Sequence, residues 1–195
     1  MARVTRAPSP PPRTDPAARR SLRARLRGGP LARAIARADV RLYRLLREDA
    51  QSARLARPIR RFSSLGEHAA VWLALGATGA AVDGARRRRW LRAAGTVLAA
   101  YALNTLLKLV VRRRRPQLER LPALISTPTS LSFPSAHASS SFAAARAYSS
   151  LMPAGPLYVA ATAMALSRIY LGVHYPSDIA AGALLGTAVG AAGRR

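Results

Sequence analysis

The sequence predicts an all-α protein: an integral membrane helical bundle of about five apolar helices, preceded by a basic amphipathic helix. Stretches rich in Ala, Leu, Val and Gly alternate with Arg runs or Pro-containing loops over the last two thirds of the chain. Two runs within them, 156–166 and 179–192, contain no charged residue, whereas a soluble helix would show a polar face. The five apolar segments are about 68–84, 90–111, 137–152, 156–173 and 178–193.

The N-terminal third carries a different pattern. Residues 1–30 are rich in Pro and Arg and predict a disordered basic tail. Over 31–61, apolar and basic residues recur every three or four positions on separate faces, which predicts an amphipathic helix lying on an anionic membrane surface. A solvated, Arg-rich helix packed on its own domain is the alternative. The apolar face holds Leu31, Ile35, Ala38, Leu42 and Leu45, and the basic face holds Arg33, Arg37, Arg41 and Arg44.

The lengths of the apolar segments differ. Segment 90–111 is long enough to span a membrane, because about 20 helical residues cover a hydrocarbon core of roughly 30 Å. The other four have sixteen to eighteen residues, which is marginal. A soluble helical bundle is the alternative, but small residues at helical spacing favour close helix packing in lipid. These residues are Gly76, Gly79, Gly182, Gly186 and Gly190.

Charge and composition exclude several classes of protein. The 195 residues include 32 Lys and Arg against 8 Asp and Glu, a net charge of +24, yet half are apolar, which excludes an acidic disordered chain. The lack of Cys excludes a disulfide scaffold and a Cys-ligated metal site. So basic a chain is expected to meet an anionic partner, which could be a nucleic acid, an anionic lipid or a phosphorylated substrate.

The few polar residues of the apolar region fall into three clusters. Consecutive spans joined by short loops alternate in direction, so the end of the second segment, the start of the third, the end of the fourth and the start of the fifth share one side. We therefore expect the clusters to meet. They are Lys108 with Arg112–Arg115, Ser135-Ala136-His137, and Ser167-Arg168 with His174 and Asp178.

These residue types suit the binding and transfer of a phosphoryl group. Lys108, Arg115 and Arg168 are fixed cations for phosphate oxygens. A helix that begins at 135–137 offers backbone N–H groups and the positive end of its dipole. Two histidines and one aspartate can supply nucleophile, acid–base group and orienting carboxylate, which describes metal-free transfer through a phosphohistidine.

Each cluster also has a structural explanation when it is taken alone. Arg112–Arg114 could be an interfacial stop at the end of a span, His137 a helix cap, and His174-Tyr175 interfacial packing. Glu67-His68 would fall on the same side, either in contact with the site or as a plain helix start. The joint occurrence of the clusters favours the chemical interpretation.

The clusters resemble the signature of the type 2 phosphatidic acid phosphatase superfamily, which reads K-x6-RP, then PSGH, then SR-x5-H-x3-D. Lys108 to Pro116 matches the first motif, 134–137 the second with one change, and Ser167 to Asp178 the third. The resemblance covers about 62–190. It implies a membrane phosphatase domain over 62–195 that needs neither a metal nor another cofactor.

The resemblance also implies a role for each matched residue. His174 would be the nucleophile with Asp178 as its orienting partner, and His137 would protonate the leaving alkoxide and later activate water. Ala136 stands where the family pattern has Gly, and we expect activity to survive if its φ is negative. The phosphate would be bound by the backbone N–H of Ala136 together with Lys108, Arg115, Ser135 and Arg168.

Shorter phrases resemble a narrower group. LGEH at 65–68, STP at 126–128 and AMALSR at 163–168 are similar to small actinobacterial members associated with decaprenylphosphoryl-5-phosphoribose phosphatase, an enzyme of cell-wall arabinan precursor synthesis. The implied substrate is a polyprenyl-linked phosphomonoester. Undecaprenyl pyrophosphate, phosphatidic acid and phosphatidylglycerol phosphate are the alternative substrates.

A non-enzymatic alternative is a basic adaptor for membranes or nucleic acid. Tyr43 and Phe62 are the only aromatic residues of the first 62, too few to stack bases, so a nucleic-acid partner is disfavoured. The expected location is the cell membrane, with several spans. Nine basic residues near the span ends fall on the active-site side and seven on the other, a slight excess that favours a cytoplasmic active site.

Overall fold

The computed structural model describes residues 29–48 and 53–194. The predicted tail, residues 1–30, lies outside the described residues except for its last two positions. The described chain is divided between Ala38 and Asp39 into two compact units. The candidate site and all the contacts discussed below belong to the second unit, which begins at Asp39.

The described ranges fold into α-helices and two 3-10 turns, and apart from one bridge between Arg114 and Leu131 they contain no β-structure. The all-α prediction is therefore confirmed, and the five apolar segments correspond to the helices α3 to α7. Within 31–61 the structure describes two helices, α1 and α2, where the periodicity predicted one. The bounds are α1 Pro30–Glu48, α2 Ala53–Ser64, α3 Ala70–Val82, α4 Arg87–Val111, α5 Ala136–Tyr148, α6 Ala154–Tyr170 and α7 Pro176–Ala192, with 3-10 turns at Glu67–Ala69 and Gly84–Arg86.

Among the described residues, one helix is long and apolar enough to cross a membrane. It runs over Gly84–Val111, and its most apolar window has a mean hydropathy of 1.6. Helix α4, which makes up most of it, exposes large apolar side chains along its length. These include Leu91, Leu98, Leu106, Leu109 and Val110. Helix α5, by comparison, has only 13 residues. Its length of about 20 Å is shorter than the hydrocarbon core of a membrane, roughly 30 Å.

Helix α5 is the centre of the bundle. Ten of its 13 residues are buried, and it contacts α4, α6 and α7. Its serines find polar partners inside the bundle, because Asn104 of α4 donates to Ser139 Oγ at 2.8 Å and Trp72 of α3 donates to Ser141 Oγ at 2.8 Å. A helix of small residues surrounded by protein on all sides lets its neighbours approach closely.

Glycines spaced four residues apart bring α7 against the backbone of α5. A Cβ on Gly182 would lie 2.6 Å from the carbonyl oxygen of Ser135, and one on Gly186 would overlap the carbonyl oxygen of Ser139. At the same contact the N–H of Ser135 donates to the carbonyl of Asp178 at 3.0 Å. The close approach therefore ties together the starts of the two helices that carry much of the candidate site.

The part of α1 that belongs to the second unit turns a polar face inward. Asp39, Tyr43 and Arg47, spaced one helical turn apart, are buried. Tyr43 donates to the carbonyl of Gly172 at 3.2 Å, and Arg47 donates to the carbonyl of Leu121 at 2.8 Å. The outward positions include three exposed leucines, Leu42, Leu45 and Leu46.

We predict that Gly186→Ala lowers the free energy of unfolding by about 1–3 kcal/mol, because the added methyl group must push α7 away from α5. Thermal unfolding in detergent measures the change. Gly95→Ala on α4 is the matched control, since no atom lies within 4 Å of its Cβ position. The control is expected to keep or slightly raise the melting temperature. Equal melting temperatures for the two variants would contradict the close packing.

Candidate active site

A cavity of about 270 Å³ opens where α4 and α6 end and α5 begins. The loop before α7 and the segment 126–129 complete its wall. The meeting point expected from alternating helix directions is therefore present in the fold. Six of the eight residues predicted for the site line this cavity: Lys108, Arg115, Ala136, His137, Arg168 and His174.

The other two predicted residues, Ser135 and Asp178, are fully buried and do not line the cavity. Ser135 is the N-cap of α5, and its Oγ accepts a hydrogen bond from the N–H of Ala138 at 3.4 Å. This hydroxyl caps the helix, as Ser commonly does. A phosphate-binding role for Ser135 stays a prediction.

The three cations of the cavity are held by neutral groups. Among the described residues, Lys108, Arg115 and Arg168 form no ion pair within 4.0 Å. The buried Nε of Arg168 has no hydrogen-bond partner there either. The oxygen acceptors around the three side chains, at 2.7 to 3.4 Å, are the carbonyls of Thr129, Leu131, Ser132 and Val173 and the hydroxyl of Ser63.

These cations keep their charge for a ligand. Burial lowers the pKa of Arg115 to about 10, which leaves the guanidinium protonated at neutral pH. Dipoles of carbonyl groups orient a cation without neutralising it, whereas a carboxylate would cancel its charge. Three such cations around one cavity form a site for a multiply charged anion such as a phosphate.

His174 lies between Arg115 and Asp178. Its Nε2 is 3.2 Å from a guanidinium nitrogen of Arg115, and its Nδ1 is 3.5 Å from Oδ2 of Asp178. Because Arg115 can only donate, Nε2 accepts, and the proton of the neutral ring is on Nδ1, facing the carboxylate. The Nδ1 distance is long for a hydrogen bond, as is common at catalytic groups without substrate.

The protonation of His174 follows from its surroundings. Burial lowers the pKa of the His174 imidazole well below its usual value, and the charges of Arg115, Lys108 and Arg168 lower it further. The ring is therefore neutral at neutral pH. A neutral imidazole whose Nε2 lone pair faces the Arg115 guanidinium at the cavity wall has the protonation state that a nucleophile requires.

His137 takes its orientation from α2. Its Nε2 lies 3.1 Å from the carbonyl oxygen of Ser63, the residue whose hydroxyl also accepts from Arg168 at 2.7 Å. A carbonyl only accepts, so Nε2 carries the proton of His137. Ser63 thus holds two residues of the cavity wall, and no motif in the sequence pointed to it.

Ala136, the departure from the family pattern, lies at the first position of α5. Positive φ at non-glycine residues of the described chain is confined to His68, Ala69 and Arg112. The φ of Ala136 is therefore negative, and its methyl group causes no backbone strain. The negative φ that we expected to make Ala acceptable in place of Gly is therefore present.

Other residues near the site had weaker signals or none in the sequence. Glu67 and His68, for which contact with the site was one of two interpretations, both line the cavity, and His68 Nδ1 lies 2.9 Å from the Tyr101 hydroxyl. Arg113, for which an interfacial stop was one of two interpretations, donates to Asp178 Oδ1 at 2.9 Å and to Asp39 Oδ2 at 2.7 Å. Asp39 had no predicted role.

A second, larger groove of about 830 Å³ borders the same loop. It shares Arg115, Thr127 and Thr129 with the cavity, but neither histidine lines it. Both histidines line the smaller cavity, so we assign the candidate site to it.

Comparison with known proteins decides the family. The profile of the PAP2 superfamily matches residues 89–195, more than half of the chain. The chain belongs to the PAP2 superfamily. A decaprenylphosphoryl-5-phosphoribose phosphatase of Mycobacterium tuberculosis is 46% identical to this PAP2 chain over 150 residues, which are 72% of this chain and 82% of that protein. The resemblance drawn from the motifs is confirmed.

Two crystal structures share the PAP2 fold of this chain. LpxE of Aquifex aeolicus superposes with a TM-score of 0.65 at 25% identity, covering 80% of this chain and 94% of that one. A transmembrane PAP2 type phosphatidylglycerolphosphate phosphatase of Bacillus subtilis superposes with a TM-score of 0.64 at 23% identity, covering 89% and 90%. The chain is thus an all-helical, membrane-associated PAP2 protein and a metal-independent phosphomonoester hydrolase.

We predict that Ala136→Gly leaves kcat within about twofold of the wild type, because the helical backbone at this position suits either residue. The rate of phosphate release at saturating lipid phosphate measures it. Gly172→Ala is the converse change in the loop before His174. Gly172 has a φ of 79°, and a Cβ there would lie 2.5 Å from the Arg47 guanidinium, so this variant should lose activity. A large loss in Ala136→Gly would contradict the assignment of its backbone.

Proposed function

We propose that the chain is a membrane-embedded lipid phosphate phosphatase whose substrate is decaprenylphosphoryl-5-phosphoribose, hydrolysed through a phosphohistidine. The observation that carries the proposal is the set of three cations without a counter-ion around the neutral ring of His174. The substrate comes from the 46% identical relative, whose name is that of a phosphatase for this lipid.

The first step transfers the phosphoryl group to the enzyme. Lys108, Arg115 and Arg168 bind the phosphate oxygens, with the N-terminal N–H groups of α5. Nε2 of His174 attacks phosphorus, the N–P bond forms, and the bond to the ester oxygen breaks. His137 takes up a second proton, on Nδ1, when the negatively charged phosphate binds. It gives this proton to the departing alkoxide and becomes neutral, so that the lipid-linked ribose leaves as an alcohol.

The second step releases phosphate. His137, now neutral, takes a proton from water, whose oxygen attacks phosphorus while the N–P bond to His174 breaks. The carboxylate of Asp178, on the Nδ1 side of the ring, stabilises the positive charge that the imidazole carries while it bears the phosphoryl group. The three cations hold the charge of the phosphate in both steps.

A lipid substrate agrees with what surrounds the cavity. Tyr101 and Thr105 of α4 belong to the cavity wall, together with Lys108 one turn further on. The same helix exposes Leu98 and Leu106, which gives an apolar surface for a polyprenyl chain next to the headgroup cavity. A free sugar phosphate has no apolar chain that could contact this surface.

We predict that the purified protein in detergent with EDTA releases phosphate from decaprenylphosphoryl-5-phosphoribose. The kcat/KM should exceed that for undecaprenyl pyrophosphate, phosphatidic acid and phosphatidylglycerol phosphate. His174→Ala should lower it at least roughly a thousandfold. Asp83→Asn, which follows the far end of α3, is the control and should stay within about twofold.

Each outcome of this assay has a distinct meaning. Full activity in His174→Ala would contradict the phosphohistidine, and inhibition by EDTA would contradict metal-free chemistry. Preference for another lipid of the panel would replace the substrate and keep the phosphatase. A wild type that releases phosphate from none of them would favour the basic adaptor.

We also propose that α3 to α7 cross the membrane, with the cavity on one side of it. The short helix α5 agrees with this arrangement because protein covers it on all sides, so its length need not match the lipid. The nine basic residues on the cavity side, against seven on the other, support a cytoplasmic active site.

The outward face of α1 would then lie on the membrane surface. Leu42, Leu45 and Leu46 are exposed there beside Arg41 and Arg44, a combination suited to the boundary between acyl chains and anionic headgroups. A partner protein is a weaker alternative, because the same basic amphipathic composition favours lipid.

We predict that a fluorophore on this face enters the lipid. The chain has no Cys, so Leu42→Cys can be labelled uniquely with an environment-sensitive dye in nanodiscs of anionic lipid. Its emission should shift to the blue and be quenched by spin-labelled lipid. Arg44→Cys, about 200° away around the helix, is the matched position and should be quenched much less. Equal, water-like emission at both positions would contradict the surface helix.

A further inference from the structure

Arg113 connects the candidate nucleophile's partner to α1. One guanidinium nitrogen donates to Asp178 Oδ1 at 2.9 Å and to Ser177 Oγ at 2.7 Å, and the other donates to Asp39 Oδ2 at 2.7 Å. The guanidinium also lies over the ring of Tyr175, 4.3 Å from its centroid. This residue falls at an unspecified position of the K-x6-RP motif, so the family pattern assigns it no role.

Asp39 completes the far end of this chain of contacts. It is 3% exposed, and its Oδ1 accepts from the N–H of Ser177 at 2.9 Å. Its Oδ2 accepts from Ser177 Oγ at 2.6 Å as well as from Arg113. Asp39 belongs to α1 and lies outside the matched family region 89–195. A buried carboxylate with this set of donors shows that this face of α1 packs on the domain.

The contacts fix the carboxylate of Asp178. Its side chain is fully buried, with Oδ1 taken by Arg113 and Oδ2 bonded to the N–H of Tyr175 at 2.8 Å and facing Nδ1 of His174. Two donors on one carboxylate define its plane, and the plane decides whether Oδ2 points at the ring. Without Arg113 the carboxylate would lose its ion pair and would be held only by the Tyr175 N–H and the Ser132 side chain.

Asp39 shares the charge of Arg113 with Asp178, because the one guanidinium pairs with both carboxylates. Asp39, Arg113 and Asp178 together carry one negative charge beside three cations of the cavity. Removing the charge of Asp39 would leave Arg113 to act as a full counter-ion of Asp178. The carboxylate would then be drawn toward the guanidinium and away from His174.

We propose that Asp39 and Arg113 are positioning residues, which hold the Asp178 carboxylate so that it orients the ring of His174. The inference rests on the proposed phosphatase function and extends the active site to α1. Tyr43 and Arg47, one and two turns beyond Asp39, support it through their bonds to carbonyls in the loops before α7 and after α4.

The kinetic test uses Asp39→Asn and Arg113→Ala in the full chain. Each should lower kcat by roughly tenfold or more, because a misplaced catalytic group slows chemistry, while KM stays within about twofold. Asp39→Asn should add less than about twofold in the Arg113→Ala background, since it acts through that residue. Arg114→Ala removes the adjacent Arg, whose side chain is exposed, and should behave as wild type.

The same variants separate positioning from mere stability. Rates are taken per folded molecule, with thermal unfolding measured on each sample. Arg113→Lys keeps the charge without the fork and should recover part of kcat. Wild-type kcat in Asp39→Asn would overturn the proposal. So would losses that multiply in the double variant, or losses that follow the folded fraction.

A measurement without substrate decides the inference even if the phosphatase proposal fails. With 15N-labelled His, the ring signal that disappears in His174→Ala reports the Nδ1–H of that residue. Asp39→Asn and Arg113→Ala should shift or broaden it, and Arg114→Ala should not. Identical His174 spectra in all variants would overturn the positioning role. A wild type inactive on every lipid would overturn the phosphatase function alone.

Discussion

The structure depends on gathering three cations in a buried cavity without a carboxylate to neutralise them. Like charges at close range repel, and burial removes the water that would screen them. In this chain Lys108, Arg115 and Arg168 are stabilised by carbonyl oxygens and one hydroxyl, which satisfy their N–H groups but leave their charge. An anion bound in the cavity would offset the repulsion between them, and this favours the phosphate-binding role proposed for the three residues.

Such a cavity requires that the loops around it are positioned closely enough for their side chains to form hydrogen bonds. The close packing of α5 against α7 fixes these positions. Because α7 approaches the backbone of α5 at its glycines, the cap of one helix and the first turn of the other share a bond between Ser135 and Asp178. The loops that carry Arg115 and His174 then lie side by side, with a guanidinium nitrogen of Arg115 3.2 Å from Nε2 of His174. The small side chains of Ala and Ser on α5 allow the helices to approach this closely.

Much of the fold and the convergence of the motifs could be predicted, because apolar segments and motif spacing are local properties of the sequence. The contacts that hold the site could not. Arg113 stands in a run of four arginines, and nothing in the sequence distinguishes it from Arg112 and Arg114, although among the described residues it alone of these three bonds Asp39 and Asp178. Ser63 and His137 are in contact although 74 positions separate them in the sequence. No periodicity or motif spacing in the sequence predicts a contact of this kind.

Helix α1 shows why the periodicity of apolar and basic residues did not reveal which face of the helix packs on the domain. In a soluble protein the apolar stripe of an amphipathic helix packs on the core and the polar face meets water. Here Asp39, Tyr43 and Arg47 pack inward against carbonyls and a guanidinium, while Leu42 and Leu45 face outward. The inverted pattern suits a helix between a polar interior and lipid. It agrees with both roles proposed for α1, because one face can hold the loop before α7 while the other is free to contact lipid.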